Sequence, residues 1–233
     1  MIYFAHRGAS ARAVQNTVGS FDLARRHGAT CYELDVHLLQ DGTLAVHHDY
    51  SLLSTAGADV LLARLAHEDL NNYPLINPFS SERVFVPRLE EILLTVLPKL
   101  EVVNIEIKND TNCYPGIERV LLDTLRDSAI IPSEKVLFSS FDYDTLVRLR
   151  QLDKNARIGL LTRNFRVRDA LAIGAESVHM NQTRFSPDIA RICHENQLKL
   201  YLYTVNDPVA ARELAQAGAD GIFTDKIDLF VEP

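Results

Sequence analysis

A chain of 233 residues with 47% hydrophobic and 24% charged residues has globular rather than disordered or fibrous usage, and can bury one large α/β core or two small ones. Its net charge of −7 makes the surface as a whole repel polyanions, which argues against a nucleic-acid partner. Phosphate chemistry on such a chain needs local positive charge, from a cation or from a few placed Arg and Lys side chains. Strands are expected at Ile2–Ala5, Cys31–His37, Val102–Lys108, Lys135–Ser140, Arg157–Leu161, Ser177–Asn181, Lys199–Val205 and Gly221–Thr224, with amphipathic helices between them such as Thr17–His27, Gly116–Ser128, Tyr143–Leu152 and Pro208–Ala217. Strand and helix repeated in this way predict parallel strands with right-handed crossovers. Eight such units in this length predict a single-domain TIM (β/α)₈ barrel over residues 1–233, with a doubly wound open sheet as the structural runner-up.

The alternation fails between Gln40 and Pro87. Leu44-Ala-Val-His-His48 reads as a strand returning on the second through the Gln40–Gly42 turn. Asp49–Pro87 is irregular, with loop signals at Asn71–Pro74 and Asn77–Ser81. The expectation is a small insertion of approximately residues 40–88, between the second and third barrel strands, lying over the C-terminal face.

Two strands show their facing. Tyr32, Leu34, Val36 and Leu38 alternate with Glu33, Asp35 and His37; Val103, Ile105 and Ile107 alternate with Asn104, Glu106 and Lys108. Residues two apart share a face, so if the apolar set packs under outer helices the polar set points into the barrel. Burying several carboxylates there costs several kcal/mol per uncompensated charge. Stability alone would not select this arrangement. Glu33, Asp35 and Glu106 come from neighbouring strands near their C-terminal ends, where barrel active sites lie. Three such acids repel one another unless a cation sits between them, and all-oxygen ligation suits one divalent cation, Mg²⁺ or Ca²⁺.

The N-terminus carries no basic stretch and no sustained apolar one, and no segment approaches the roughly 20 apolar residues that span a bilayer. Three widely spaced cysteines (Cys31, Cys113, Cys193) without a CxxC pair argue against a disulfide scaffold and against cysteine-bound zinc. A cytoplasmic protein without stable membrane association is expected.

In chain order stand Ala5-His-Arg-Gly8, Glu33-Leu-Asp35, Asp41-Gly42, His47-His-Asp49 and Glu106-Ile-Lys108. Further along come Ser139-Ser-Phe141, Val178-His-Met-Asn181, Tyr203-Thr-Val-Asn206 and Gly218-Ala-Asp-Gly-Ile-Phe-Thr-Asp225. The set resembles the glycerophosphodiester phosphodiesterase family over nearly the whole chain, most closely its small cytoplasmic bacterial members. The resemblance implies a metal-dependent hydrolase that converts a small-molecule glycerophosphodiester to sn-glycerol 3-phosphate and an alcohol. It implies Glu33, Asp35 and Glu106 as metal ligands, and His6 and His48 as the general acid and base, in an order left open. His47 is then left a structural role.

Arg7 and Lys108 provide the expected positive charge for phosphate oxygens, and Lys108 can at once pair with Glu106 on the same face. Tyr203 and Phe141 are candidates for the wall of the substrate pocket, or for plain barrel packing. His37 is expected at the rim, and His179 with Asn181 as a hydrogen-bonded core pair. The chain departs from the family pattern at Gln15, where Glu is usual, and at Ser54, where Arg is usual. Gln15 removes a negative charge expected beside the metal, and Ser54 a phosphate or loop contact. These departures leave room for two alternatives: a lysophospholipase D-like or other phosphodiesterase on the same scaffold, and a barrel that binds phosphate ligands without turnover.

Overall fold

Period-two alternation and capped helix starts account for the architecture of the computed structural model, which describes residues 1–111 and 114–232. Eight parallel strands form the barrel: β1 (Ile2–His6), β2 (Cys31–Leu38), β4 (Val102–Ile107), β5 (Val136–Ser140), β6 (Arg157–Thr162), β7 (Ser177–Asn181), β8 (Lys199–Tyr203) and β9 (Gly221–Thr224). β1 pairs with both β2 and β9, which closes the ring. The open-sheet alternative is thereby excluded. β3 (Leu44–Val46) returns antiparallel on β2, with Val36 opposite Val46.

Helices α1 (Val18–Arg26), α4 (Ile117–Ser128), α5 (Tyr143–Leu152) and α8 (Pro208–Gln216) fall where the periodicity places them. The structure adds α2 (Leu53–Ala56), α3 (Leu89–Val96), α6 (Val167–Ala172) and α7 (Pro187–Glu195). Their starts are written locally: Thr17, Asp142, Ser186 and Asp207 cap α1, α5, α7 and α8 through side-chain oxygens, and proline follows the cap in the last two. Each such cap contributes about 1 kcal/mol.

The outward set Tyr32, Leu34, Val36, Val103, Ile105 and Ile107 is buried under the helices with Phe21, Ile92 and Leu121. Inside, the lower barrel is plugged by Phe4, Cys31, Leu137, Tyr201 and Phe223, with Phe4 stacked on Phe223 at 4.8 Å between ring centres. The plug closes the bottom and leaves the C-terminal half of the barrel to polar groups. Cys31 and Cys193 are buried free thiols; Cys113 lies outside the described residues. Between β3 and α3 the chain gathers its own small apolar cluster, including Leu52, Leu62, Leu70, Leu75 and Val86. Among the described residues no helix is long and apolar enough to cross a membrane.

Candidate active site

At the end of β1 the backbone turns sharply: Arg7 and Gly8 both have positive φ, 57° and 83°. A Cβ on Gly8 would stand 2.5 Å from Ser20 Oγ and 2.6 Å from the Ser20 carbonyl carbon. Only glycine fits against the first turn of α1, and this contact sets the turn that carries Arg7 into the barrel mouth. There the Arg7 amide donates to the Glu33 carbonyl at 3.0 Å, and its Nε lies 3.3 Å from Asp35 Oδ2.

β2 and β4 deliver the acids. Asp35 faces Glu106 across the two strands, and Glu33, Asp35 and Glu106 each offer an oxygen within 4.8 Å of the others. Glu33 and Asp35 are buried, and Glu106 is 9% exposed. Lys108 Nζ lies 2.7 Å from Glu106 Oε1 and 3.3 Å from Asp35 Oδ1. Three carboxylates against two cationic side chains leave one negative charge in excess. Burial, with Asp35 close by, pushes Glu33 well above the usual carboxylate range. Burial likewise raises Glu106 to about 7, against the pull of Lys108. Burial alone would raise Asp35 too, but Lys108 and Arg7 outweigh it and hold that group far below its ordinary value.

Two buried acids held this high are short of positive charge. Asp35 Oδ1 is buried and accepts no hydrogen bond from the described residues. An oxygen-only donor set with an open lone pair fits a hard divalent cation such as Mg²⁺ or Ca²⁺.

The two candidate histidines reach the same space. A cavity of about 120 Å³ is lined by His6, Arg7, Glu33, His48, Glu106 and Lys108, and on its far side by Phe141 and Tyr203. Phe141 and Tyr203 meet edge to face at 6.3 Å, and the Arg163 guanidinium covers Phe141 at 4.1 Å. His6 Nδ1 is 2.6 Å from Asp225 Oδ1 and His48 Nδ1 is 2.6 Å from Asp49 Oδ1. Burial lowers the pKa of both rings, and the neighbouring aspartates oppose that shift.

His47 turns the other way. It approaches Thr55 Oγ1 at 3.2 Å and borders a wider, open groove of about 720 Å³ that shares His6 and Arg7 with the small cavity.

Several residues sit otherwise than expected. His37 is fully buried rather than at the rim: its Nε2 is 3.3 Å from the His48 carbonyl, and its Nδ1 is 2.9 Å from the Tyr114 hydroxyl. Burial lowers its pKa to about 3, so the neutral ring donates to the carbonyl and accepts from the phenol. His179 pairs with Ser177, at 2.9 Å, rather than with Asn181, whose side chain caps Thr183. Gln15 accepts from Arg7 Nη1 at 2.7 Å, so its direct effect is on the guanidinium. Ser54 donates to Asp49, on the oxygen that His48 leaves free.

Other groups at the site went unassigned in the sequence. Asn16, in a left-handed backbone conformation, donates to Asp35 Oδ2 at 2.8 Å. Asn206 donates to Asp225 Oδ2 at 2.8 Å. The only signal for Asn206 was its place in Tyr203-Thr-Val-Asn206, and for Asn16 its place beside Gln15.

A closed parallel barrel whose mouth joins clustered acids, two cations and two carboxylate-paired histidines defines a class: a (β/α)₈-barrel enzyme equipped for phosphoric ester chemistry. The profile of the Glycerophosphoryl diester phosphodiesterase family matches residues 6–229, and the chain belongs to that family. It is 32% identical over 231 residues to a glycerophosphodiester phosphodiesterase of Caldanaerobacter subterraneus subsp. tengcongensis, covering 96% of this chain and 93% of the relative. It is also 32% identical to a glycerophosphodiester phosphodiesterase of Bacillus altitudinis, covering 98% and 96%. Among solved structures, the glycerophosphodiester phosphodiesterase of Thermotoga maritima superposes with a TM-score of 0.78 at 26% identity, covering 99% and 96%. An Oleispira antarctica phosphodiesterase, solved in complex with the product sn-glycerol-3-phosphate, superposes with a TM-score of 0.87 at 23% identity, covering 98% and 94%.

Proposed function

We propose that this enzyme hydrolyses glycerophosphodiesters to sn-glycerol 3-phosphate and an alcohol, using His6 and His48 as its proton-transfer pair. The observation that carries the reading is the meeting of both histidines with Glu33, Glu106, Arg7 and Lys108 around one small cavity, with Asp35 completing the acid cluster beside it. The three carboxylates would hold one Mg²⁺ or Ca²⁺, which when bound supplies Lewis-acid polarisation of a phosphoryl oxygen. Arg7 and Lys108 bind the non-bridging oxygens and offset the charge that grows on them during displacement. One histidine takes a proton from the attacking oxygen, that of water or of the glycerol 2-hydroxyl, while the other delivers one to the departing alkoxide; where the 2-hydroxyl attacks, water then opens the cyclic phosphate to glycerol 3-phosphate. Phe141 and Tyr203 wall the glycerol side of the cavity.

The alcohol leaves through the wide groove, and we place the excursion of residues 40–88 over the C-terminal face as its outer wall. The acidic surface and reduced thiols suit a small diester in the cytoplasm as substrate.

The test is hydrolysis of glycerophosphocholine and glycerophosphoethanolamine, coupled to glycerol 3-phosphate detection, with and without EDTA. Turnover is expected to disappear with EDTA and return with Mg²⁺ or Ca²⁺. Full activity in chelated protein would overturn the cation assignment, and absence of glycerol 3-phosphate would overturn the reaction. A second reading, a diester bearing an acyl chain, draws on exposed Ile76 and Phe79 beside the wide groove. Faster release of lysophosphatidic acid from lysophosphatidylcholine than of glycerol 3-phosphate from glycerophosphocholine would favour it.

A further inference from the structure

The C-terminal motif Gly218–Asp225 and Asn206 have no part in the chemistry above, yet they meet at His6. Barrel closure places Ala5 opposite Thr224, so the next residue on each strand, His6 and Asp225, stand side by side at the mouth. Their contact is 2.6 Å between His6 Nδ1 and Asp225 Oδ1. The carboxylate is itself held. Asn206 Nδ2 donates to Oδ2 at 2.8 Å, and Ser10 Oγ lies 3.1 Å from Oδ1 and 2.8 Å from the His6 carbonyl.

The orientation of the Asn206 amide is determined as well. Its Oδ1 accepts from the Asp225 amide at 2.8 Å and from the Thr224 hydroxyl at 3.0 Å, so only the NH₂ end can face the carboxylate. Burial alone would raise the Asp225 carboxyl, but its contacts with His6, Asn206 and Ser10 outweigh that and hold it at about 2, so it keeps no proton of its own near neutrality. The hydrogen in the short contact therefore belongs to His6 Nδ1, and Nε2 is the nitrogen left for the cavity, 3.9 Å from Glu33 Oε2.

We infer that Asp225, clamped by Asn206 and Ser10, is a positioning residue that holds His6 as its Nδ1–H tautomer with Nε2 presented to the substrate. The inference rests on the reading of His6 as a proton-transfer group. With Nδ1–H held by Asp225, Nε2 takes up a proton if His6 is the base and releases the imidazolium proton if it is the acid, whereas a neutral ring in the other tautomer can do neither at the substrate. The competing account is that Asp225 only ties β9 to β1.

Asp225→Asn separates the two, because an amide can donate as well as accept and no longer dictates the tautomer. Imidazole ¹⁵N spectra of the full-length protein, with His6 assigned by its loss in His6→Ala, are expected to show a single Nδ1–H form in the wild type and Nε2–H character in Asp225→Asn. This readout is independent of turnover, so an inactive wild type would overturn the proposed reaction and leave the tautomer test standing. For glycerophosphocholine hydrolysis, kcat should fall on the order of 10²- to 10⁴-fold with KM within about threefold. The double variant His6→Ala/Asp225→Asn should be no slower than His6→Ala alone.

Should Asp225→Asn fail to fold, Asp225→Ala, which removes the acceptor from His6 Nδ1 altogether, should give Nε2–H character in the same spectra and a comparable loss of kcat. An unaltered His6 tautomer in the folded variant would overturn the inference. So would kcat within threefold of wild type, or losses that add to those of His6→Ala.

Discussion

The seam between β1 and β9 and the loop that follows β3 each hold one histidine against one aspartate at the same 2.6 Å, His6 on Asp225 and His48 on Asp49. In the seam the partners are 219 positions apart, and their contact exists only when the barrel has closed. In the loop they are neighbours in sequence, and their side chains are 35% and 38% exposed. The seam pair is braced by Asn206, Ser10 and the backbone of β9. The loop pair is braced from within its own segment by Ser54, and from β2 by His37 beneath the His48 carbonyl. One half of the proposed histidine pair is thus tied to global folding, while the other forms locally. The aspartates are similarly exposed, 33% in the seam and 38% in the loop, but the His48 ring at 35% is more open to water than the His6 ring at 14%, so water can more readily stand in for a missing partner there.

The largest effects should come from removing the rings themselves. His6→Ala and His48→Ala are each expected to lower kcat by at least about 10²-fold, the usual cost of a lost general acid or base. His47→Ala, facing the outer groove, should stay within about threefold. Steady-state kinetics of the three variants check this, and a mild His48→Ala beside a damaging His47→Ala would reverse the assignment in the loop.

The comparison sharpens one step outward. Asp49→Asn should lower kcat by about tenfold, equal to about 1.4 kcal/mol, and clearly less than Asp225→Asn, because the exposed loop pair retains Ser54 and solvent. Equal losses at the two aspartates would erase the distinction between seam and loop.

A third test probes the barrel beneath the seam. His179 is buried against Tyr201 and Phe223, and burial lowers its pKa to about 3. Its folded-state pKa lies below the unfolded value of 6.5. The stability it contributes is therefore present above pH 6.5 and is lost progressively as pH falls toward 3. The stability difference between wild type and His179→Gln, from urea unfolding, should shrink by about 1.4 kcal/mol per pH unit through that window. A pH-independent difference would mean that His179 is already charged in the fold.

The smallest effect is expected at Gln15. Because it accepts from Arg7, Gln15→Glu adds an ion pair that competes with phosphate for the guanidinium. KM should rise about two- to fivefold with kcat little changed, at the modest scale of partly exposed charge pairs. A lowered metal requirement with unchanged KM would show instead that the new charge acts on the carboxylate cluster.

What the sequence alone determined is what depends on short periods and local signals. Alternation in Tyr32–Leu38 and Val103–Lys108 showed which side chains of β2 and β4 enter the barrel, and so put Glu33, Asp35 and Glu106 on one face. Cap-and-proline pairs such as Ser186-Pro187 and Asp207-Pro208 mark where α7 and α8 begin, although α7 was not singled out. The Gln40–Gly42 turn announced β3.

Only the tertiary structure decided which carboxylate meets His6, that His37 lies buried beneath the His48 carbonyl rather than at the rim, and that Gln15 addresses Arg7. The first depends on closing the ring and on the stagger of β1 against β9, strands far apart in the chain; the other two are set nearer by, in the turn after β1 and in the return of β3 on β2. A one-residue shift there exchanges the inner face for the outer. Periodicity gives the facing of each strand by itself; the hydrogen bonds between strand ends follow from the closed barrel.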